Sequence, residues 1–312
     1  MSTRLRRISA VGVATALTVV LGAAPSSATE LEEYLEGAAS AEYSGRRIII
    51  TMWDGESQAG IFGVTHMSDM TVIGTGEDGS LVGSGKVAAG SNDAVMVPEW
   101  SRYVANDRYT TAAPLTTIRL GRVAKLIEVM EDGVVRARFT FDALTKVPLA
   151  TEIYDGGGRL FRYSAMLEFD PKPQLSYADM ESIGDVYDVM LPVEVSSLPH
   201  VAAGYVRADT YAGPDETIHA FFTDGLFSFS LFEVDIAARL DRFEDASAVH
   251  LNGTSYRRLI TPTEIWVTWK AGDVAFVLVG DLPPDHLEEV VADLPAPREP
   301  SLLSRLWNGI FG

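Results

Sequence analysis

Residues able to do acid–base or metal chemistry are thinly spread in this chain. The five histidines are His66, His200, His219, His250 and His286. None stands in an HExxH pattern or four residues from another histidine, the spacing that puts two imidazoles on one helix face. There is no cysteine, which excludes disulfides, thiolate metal sites, a thiol nucleophile and a lipidated cysteine. No GxSxG elbow occurs. Glycines crowd residues 74–90, but a phosphate loop needs a strand, a defined spacing and a following helix, and no GxxxxGK[ST] is present, so they read as hairpin turns. With 43 acidic residues, carboxylate pairs arise by chance and do not point to glycosidase chemistry. His66 sits in a strand pattern and reads as a surface or hydrogen-bonded structural residue. Asn252-Gly253-Thr254 fits a glycosylation sequon and reads first as a turn. No catalytic residue, metal or cofactor is assigned. A triad built from distant residues leaves no local pattern, so an enzyme acting on envelope substrates is the least favoured reading.

The elements that would position any site are mostly strands. Residues 30–41 repeat Leu31, Tyr34, Leu35 and Ala38 at helical spacing. A β-branched run follows, Ile48-Ile49-Ile50-Thr51. Short strands broken by glycine and aspartate continue to about residue 167, including 134–141, 149–154 and 159–169, with Gly156-Gly157-Gly158 as a turn. Consecutive antiparallel strands after a helix predict a curved sheet wrapped over that helix, a half-open barrel whose apolar inner face suits an acyl chain. Residues 170–197 are rich in proline and acid and read as a linker. From 198 to 295 the pattern is strands at 201–210, 217–222 and 226–234, a hairpin of 265–270 with 274–279, and a helix over 284–294 starting at proline.

The ends differ from the body. Arg4, Arg6 and Arg7 precede an uncharged run over residues 8–24, and Ser26-Ser27-Ala28 supplies small residues for cleavage, which together predict a secretory signal over 1–28. The formal charge is -18, a surface that repels phosphate backbones and excludes nucleic acid as a partner. The tail, 296–312, places Leu302, Leu303, Leu306, Trp307, Ile310 and Phe311 on one side of a helix. That stripe predicts docking on protein or peripheral membrane contact.

Several stretches resemble the RseB/MucB family of sigma-E factor regulators. Phe222-Thr223-Asp224-Gly225-Leu226-Phe227-Ser228-Phe229-Ser230-Leu231-Phe232-Glu233 is similar to the family's strand-turn-strand, and Val277-Leu278-Val279-Gly280-Asp281-Leu282-Pro283-Pro284 to the strand leading into its last helix. Weaker matches are Tyr43-Ser44-Gly45, Leu120-Gly121-Arg122 and residues 138–149. The resemblance implies an α+β chain: a LolA/LolB-like N-terminal domain over 29–169 and a smaller sheet-plus-helix domain over 198–295. It also implies an exported, periplasmic, non-catalytic regulator that binds the extracytoplasmic part of a membrane anti-sigma factor and responds to lipid released by envelope stress. Phe222, Asp224, Leu226, Phe227, Phe229, Phe232, Trp266 and Trp269 are the candidate partner-binding residues, with a purely structural core as the competing role. A lipid or lipoprotein carrier with no regulatory partner is the alternative.

Overall fold

The computed structural model describes residues 29–67, 70–75, 78–83, 108–173, 191–192, 198–212, 217–235, 243 and 245–298. The expected signal, the tail stripe from 302 to 311 and most of the expected linker lie outside the described residues.

The chain opens with α1 (Thr29–Ser40). Ten strands follow: β1 (Tyr43–Trp53), β2 (Glu56–Met67), β3 (Met70–Thr75), β4 (Asp78–Gly83), β5 (Thr110–Thr111), β6 (Leu115–Arg119), β7 (Arg122–Glu131), β8 (Val134–Asp142), β9 (Pro148–Tyr154) and β10 (Leu160–Asp170). They form one antiparallel sheet in the order β4-β3-β2-β1-β10-β9-β8-β7-β5, with β6 also on β7. Leu31, Tyr34 and Leu35, the helical stripe, are buried with Phe139 and Phe141, and the Tyr34 and Phe141 rings lie 5.1 Å apart. Each such side chain contributes about 1.5–3 kcal/mol on burial. The sheet is curled. β6 and β10 are four strand spacings apart, about 19 Å if the sheet were flat, yet Arg119 donates from Nη2 to the Tyr163 hydroxyl at 3.0 Å.

The run Gly74-Thr75-Gly76-Glu77-Asp78-Gly79 has the GxGxxG spacing of a dinucleotide loop. The structure pairs Gly74 with Gly79 across the β3–β4 hairpin, so the strand leads to another strand and not to a helix, and the phosphate-loop geometry is absent.

The second sheet holds β11 (Leu191–Pro192), β12 (Val201–Ala202), β13 (Tyr205–Ala212), β14 (Ile218–Thr223), β15 (Ser228–Asp235), β16 (Ser247–Leu251), β17 (Thr254–Ile260), β18 (Ile265–Ala271) and β19 (Val274–Gly280). Its order is β11-β13-β14-β15-β19-β18-β17-β16, with β12 on β13. α2 (Pro284–Asp293) closes it, burying Leu287, Val290 and Val291. Three boundaries differ from the sequence reading. The strand expected over 201–210 is broken by a turn at Ala203 and Gly204, both at positive φ. The strand expected from 226 starts at Ser228, because Asp224 Oδ1 accepts from the Leu226 and Phe227 amides and holds them in the turn. The stretch read as linker supplies β11, paired with β13. Asn252-Gly253 is the turn it was expected to be, joining β16 to β17 with φ of 51° and 76°.

Candidate functional site at the domain joint

Two hairpin tips of the first sheet press against α2 and the second sheet. The β7–β8 tip turns at Asp132 and Gly133, both at positive φ, a two-residue turn matched to strand twist. It carries Glu131 on one side and Arg136 on the other. Val129 pairs with Ala137 and Met130 with Val135, so Arg136 is the extra residue of a β-bulge. Bulges re-aim side chains, and this one sends an arginine that is 1% exposed toward α2. The β9–β10 tip approaches the same place: a Cβ on Gly156 would lie 2.7 Å from Asp285 Oδ2 and 3.1 Å from Arg136 Nη1.

Glu131 is the centre of the cluster. It accepts from Arg108 Nε, lies 3.2 Å from Arg136 Nε and 2.9 Å from His286 Nε2. Burial alone would raise its carboxyl, but the hydrogen bonds from Arg108 and His286 hold it below the ordinary carboxylate range. Arg136 Nη2 reaches Asp285 Oδ2 of α2 at 2.8 Å. Its Nε and Nη2 make these ion pairs at angles that complete no hydrogen bond. Arg108 bridges further, donating to the Ala203 carbonyl at 3.0 Å and lying 3.6 Å from Asp224 and 3.5 Å from Glu289. Beside it, the Tyr109 hydroxyl donates to Asp224 Oδ2 at 2.6 Å.

His286 is caught between opposing demands. Its Nδ1 is 2.7 Å from the Tyr205 hydroxyl. Its Nε2 faces both Arg108 Nη2 and Glu131 Oε2 at 2.9 Å. An arginine wants an acceptor there and a carboxylate wants a donor, and one nitrogen satisfies only one of them. Burial, then Arg108 and Arg136, hold the imidazole below its ordinary value against the pull of Glu131. With both ring nitrogens engaged and 1% exposure, His286 joins domains and offers no access to a substrate.

A second contact lies across β1 and β10. Thr51 donates to the Pro262 carbonyl at 2.8 Å and accepts from Arg162 at 3.1 Å. Arg258 pairs with Glu56 at 3.0 Å and covers the Trp53 ring at 4.5 Å. One core unites the two sheets, running from α1 and Phe139 to Phe227 and Val290.

The candidate partner-binding residues are distributed unequally. Phe222, Asp224, Leu226, Phe227, Phe229 and Trp269 are buried, so in this arrangement they build the core and the joint and present no free surface. The alternation that drew notice marked their inward side. Phe232 and Trp266 remain partly exposed: Phe232 stacks on His219 at 4.5 Å, and Trp266 leans on Phe243 at 5.8 Å. His66 is hydrogen-bonded to the Ala41 carbonyl and stacked on Tyr43. Among the described residues no group of histidines and carboxylates could hold a metal ion, and no helix is long and apolar enough to cross a membrane. Sequence reading passed over Arg108, Glu131, Arg136 and Asp285. The one local signal was Arg136, a charge placed within a strand of apolar alternation.

No protein-family model matches the chain, and no curated protein does. Solved structures similar to it include MucB in the Pseudomonas aeruginosa MucA/MucB complex, 15% identical over 88% of this chain and 100% of that one, with a TM-score of 0.49. Another structure of MucB is 15% identical over 88% of this chain and 98% of that one, TM-score 0.46. A LolA superfamily protein from Nitrosomonas europaea covers 81% of this chain and 95% of its own at 10% identity, TM-score 0.19.

Proposed function

We propose that the chain is an exported, non-catalytic regulator that binds the extracytoplasmic part of a membrane anti-sigma factor, and that its two domains couple this partner to an apolar ligand. The observation that carries the reading is the ionic joint. Arg108 and Tyr109 of the first domain cover Asp224 and pack beside Phe227 of the second, in the segment that resembles the RseB/MucB family. A ligand that prefers one domain arrangement shifts the population and so changes partner affinity. The partner face is the outer side of the second sheet around Phe232 and Trp266, enlarged when the joint opens and uncovers Asp224 and Phe227. The ligand site is the curled first sheet, read as a half-open barrel on the strength of the Arg119–Tyr163 contact.

The test is titration calorimetry with the extracytoplasmic segment of the cell's anti-sigma factors, using the native chain and Glu131→Gln, which loosens the joint. Binding whose strength differs between the two supports the reading. No binding by either would sink it. The apolar face of Ile127, Phe139, Phe141, Ile153 and Phe161 keeps the carrier alternative in view. Native mass spectrometry showing bound lipid together with no anti-sigma binding would select that alternative.

A further inference from the structure

We propose that the β6–β7 hairpin tip is a docking surface for an anionic lipid bilayer, a site separate from the joint and independent of the regulatory reading above. Eleven large hydrophobic side chains are exposed among the described residues, and four gather at this tip: Ile118 at 75%, Leu120 at 42%, Val123 at 58% and Leu144 at 83%, while Leu115 at 60%, three residues before Ile118, lies on the other face of the hairpin. Ile118 and Val123 sit directly opposite each other in the hairpin, so their side chains share one face. The β8–β9 turn joins them, because the Ala143 amide donates to the Val123 carbonyl at 3.0 Å and brings Leu144 alongside. Single exposed apolar residues need no explanation, whereas a contiguous group marks an interaction site.

Charge names the partner. The chain carries 43 acidic and 25 basic residues, yet residues 115–125 hold Arg119, Arg122 and Lys125 and no acid. Arg122 is paired with Asp142 at 2.5 Å. Arg119 and Lys125 donate to the neutral hydroxyls of Tyr163 and Thr116, and their charge is not cancelled by those bonds. Apolar side chains flanked by cations suit an anionic membrane interface. The acidic remainder of the molecule is repelled by the same surface, so approach is oriented tip first.

The turn adds a structural point. Leu120 and Gly121 occupy its two corners at φ 50° and 71°. The equivalent corners elsewhere are Asp54, Asp132, Asn252 and Ala203, the first three of residue types that tolerate left-handed backbone. Leucine does not favour it, and its side chain here faces solvent.

The experiment is co-sedimentation of the exported form of the chain with phosphatidylcholine vesicles, with and without phosphatidylglycerol, across a salt series. Four variants are compared with it: Ile118→Ser with Val123→Ser, Leu144→Ser, Arg119→Gln with Lys125→Gln, and a chain ending at Pro300. The expected result is salt-sensitive binding to the anionic vesicles, retained without the tail. Removing both cations should lower partition about twenty-fivefold, from a contribution of about fivefold for each charge near the surface. The serine variants should lose binding with unchanged melting temperature, because the positions are exposed. Three outcomes overturn the proposal: no binding to anionic vesicles, equal binding to neutral ones, or binding lost with the tail and untouched by the hairpin substitutions.

Discussion

Replacing Glu131 with glutamine removes the negative charge that Arg108, Arg136 and His286 share, and leaves two guanidinium groups facing one another inside the joint. Breaking one partner of a buried ion pair costs about 3–5 kcal/mol. The Glu131 side chain is 17% exposed, so some water reaches it and the lower end, about 3 kcal/mol, is the working figure. For a domain of roughly 150–250 residues each kcal/mol moves the melting temperature by about 2–4 °C, which gives a fall of about 6–12 °C. The loss should fall on the joint. Small-angle scattering should show the variant extended, while far-ultraviolet circular dichroism stays native because neither sheet ladder uses the side chain. Combining Glu131→Gln with Arg136→Met removes the stranded cation and should recover part of the loss, since neutral replacements of a buried pair are often tolerated. A single variant as compact and as heat-stable as the parent would refute the claim that Glu131 holds the domains together.

Acid should loosen the same joint in two steps. The imidazole of His286 is held below its ordinary value of 6.5 in the fold, so between those values the unfolded chain binds more protons and stability falls as pH falls. Glu131, depressed in the fold, gives stability that is present above its ordinary value and is lost as pH drops through the folded one. His286→Gln should flatten the first step and keep the second, read by melting temperature against pH; an unchanged profile would exclude His286 as its source. His219, pushed down by burial to about 4, should remain neutral at pH 5 in nitrogen-15 imidazole spectra, and a charged ring there would contradict its packing on Phe232. A Cβ at Gly280 would meet the Ser228 carbonyl oxygen at 2.6 Å and Phe229 Cβ at 2.8 Å. Backbone cannot yield as a flexible side chain can, so Gly280→Ala should lose about 1–3 kcal/mol in urea unfolding; a neutral result would show that β15 and β19 are free to part.

Much of the architecture was legible in local pattern. Leu31, Tyr34 and Leu35 at helical spacing gave α1, and the apolar stripe of 287–294 gave α2. The Asp132-Gly133 and Asn252-Gly253 pairs mark two-residue turns because few other residues accept left-handed backbone. The joint was not legible, for a physical reason. Arg108, the Glu131–Arg136 hairpin, Asp224 and His286 come from four separate segments, and only the folded chain makes them neighbours. Pattern left one question open: alternation shows that one side of Phe222, Phe227 and Phe229 is apolar, not whether that side faces solvent, and in this arrangement all three are buried. The bulge at Arg136 breaks strict alternation, so period-two reading assigns that arginine to the outside.

The order of elements along the chain sets an order of folding. β1 pairs with β10 from residue 44 to residue 170, so the first sheet cannot close until its last strand has been delivered, a slow, long-range event. The strands of the first sheet are then all present while the second sheet is still arriving. α2, which brings Asp285 and His286, is the last helix among the described residues. During synthesis the β7–β8 tip therefore waits with Glu131 and Arg136 hydrated, and these charges are buried only when α2 docks. A product truncated before residue 284 lacks Asp285 and His286 and leaves the β7–β8 tip open and charged, which distinguishes it from the finished chain to any protease that surveys unfinished proteins.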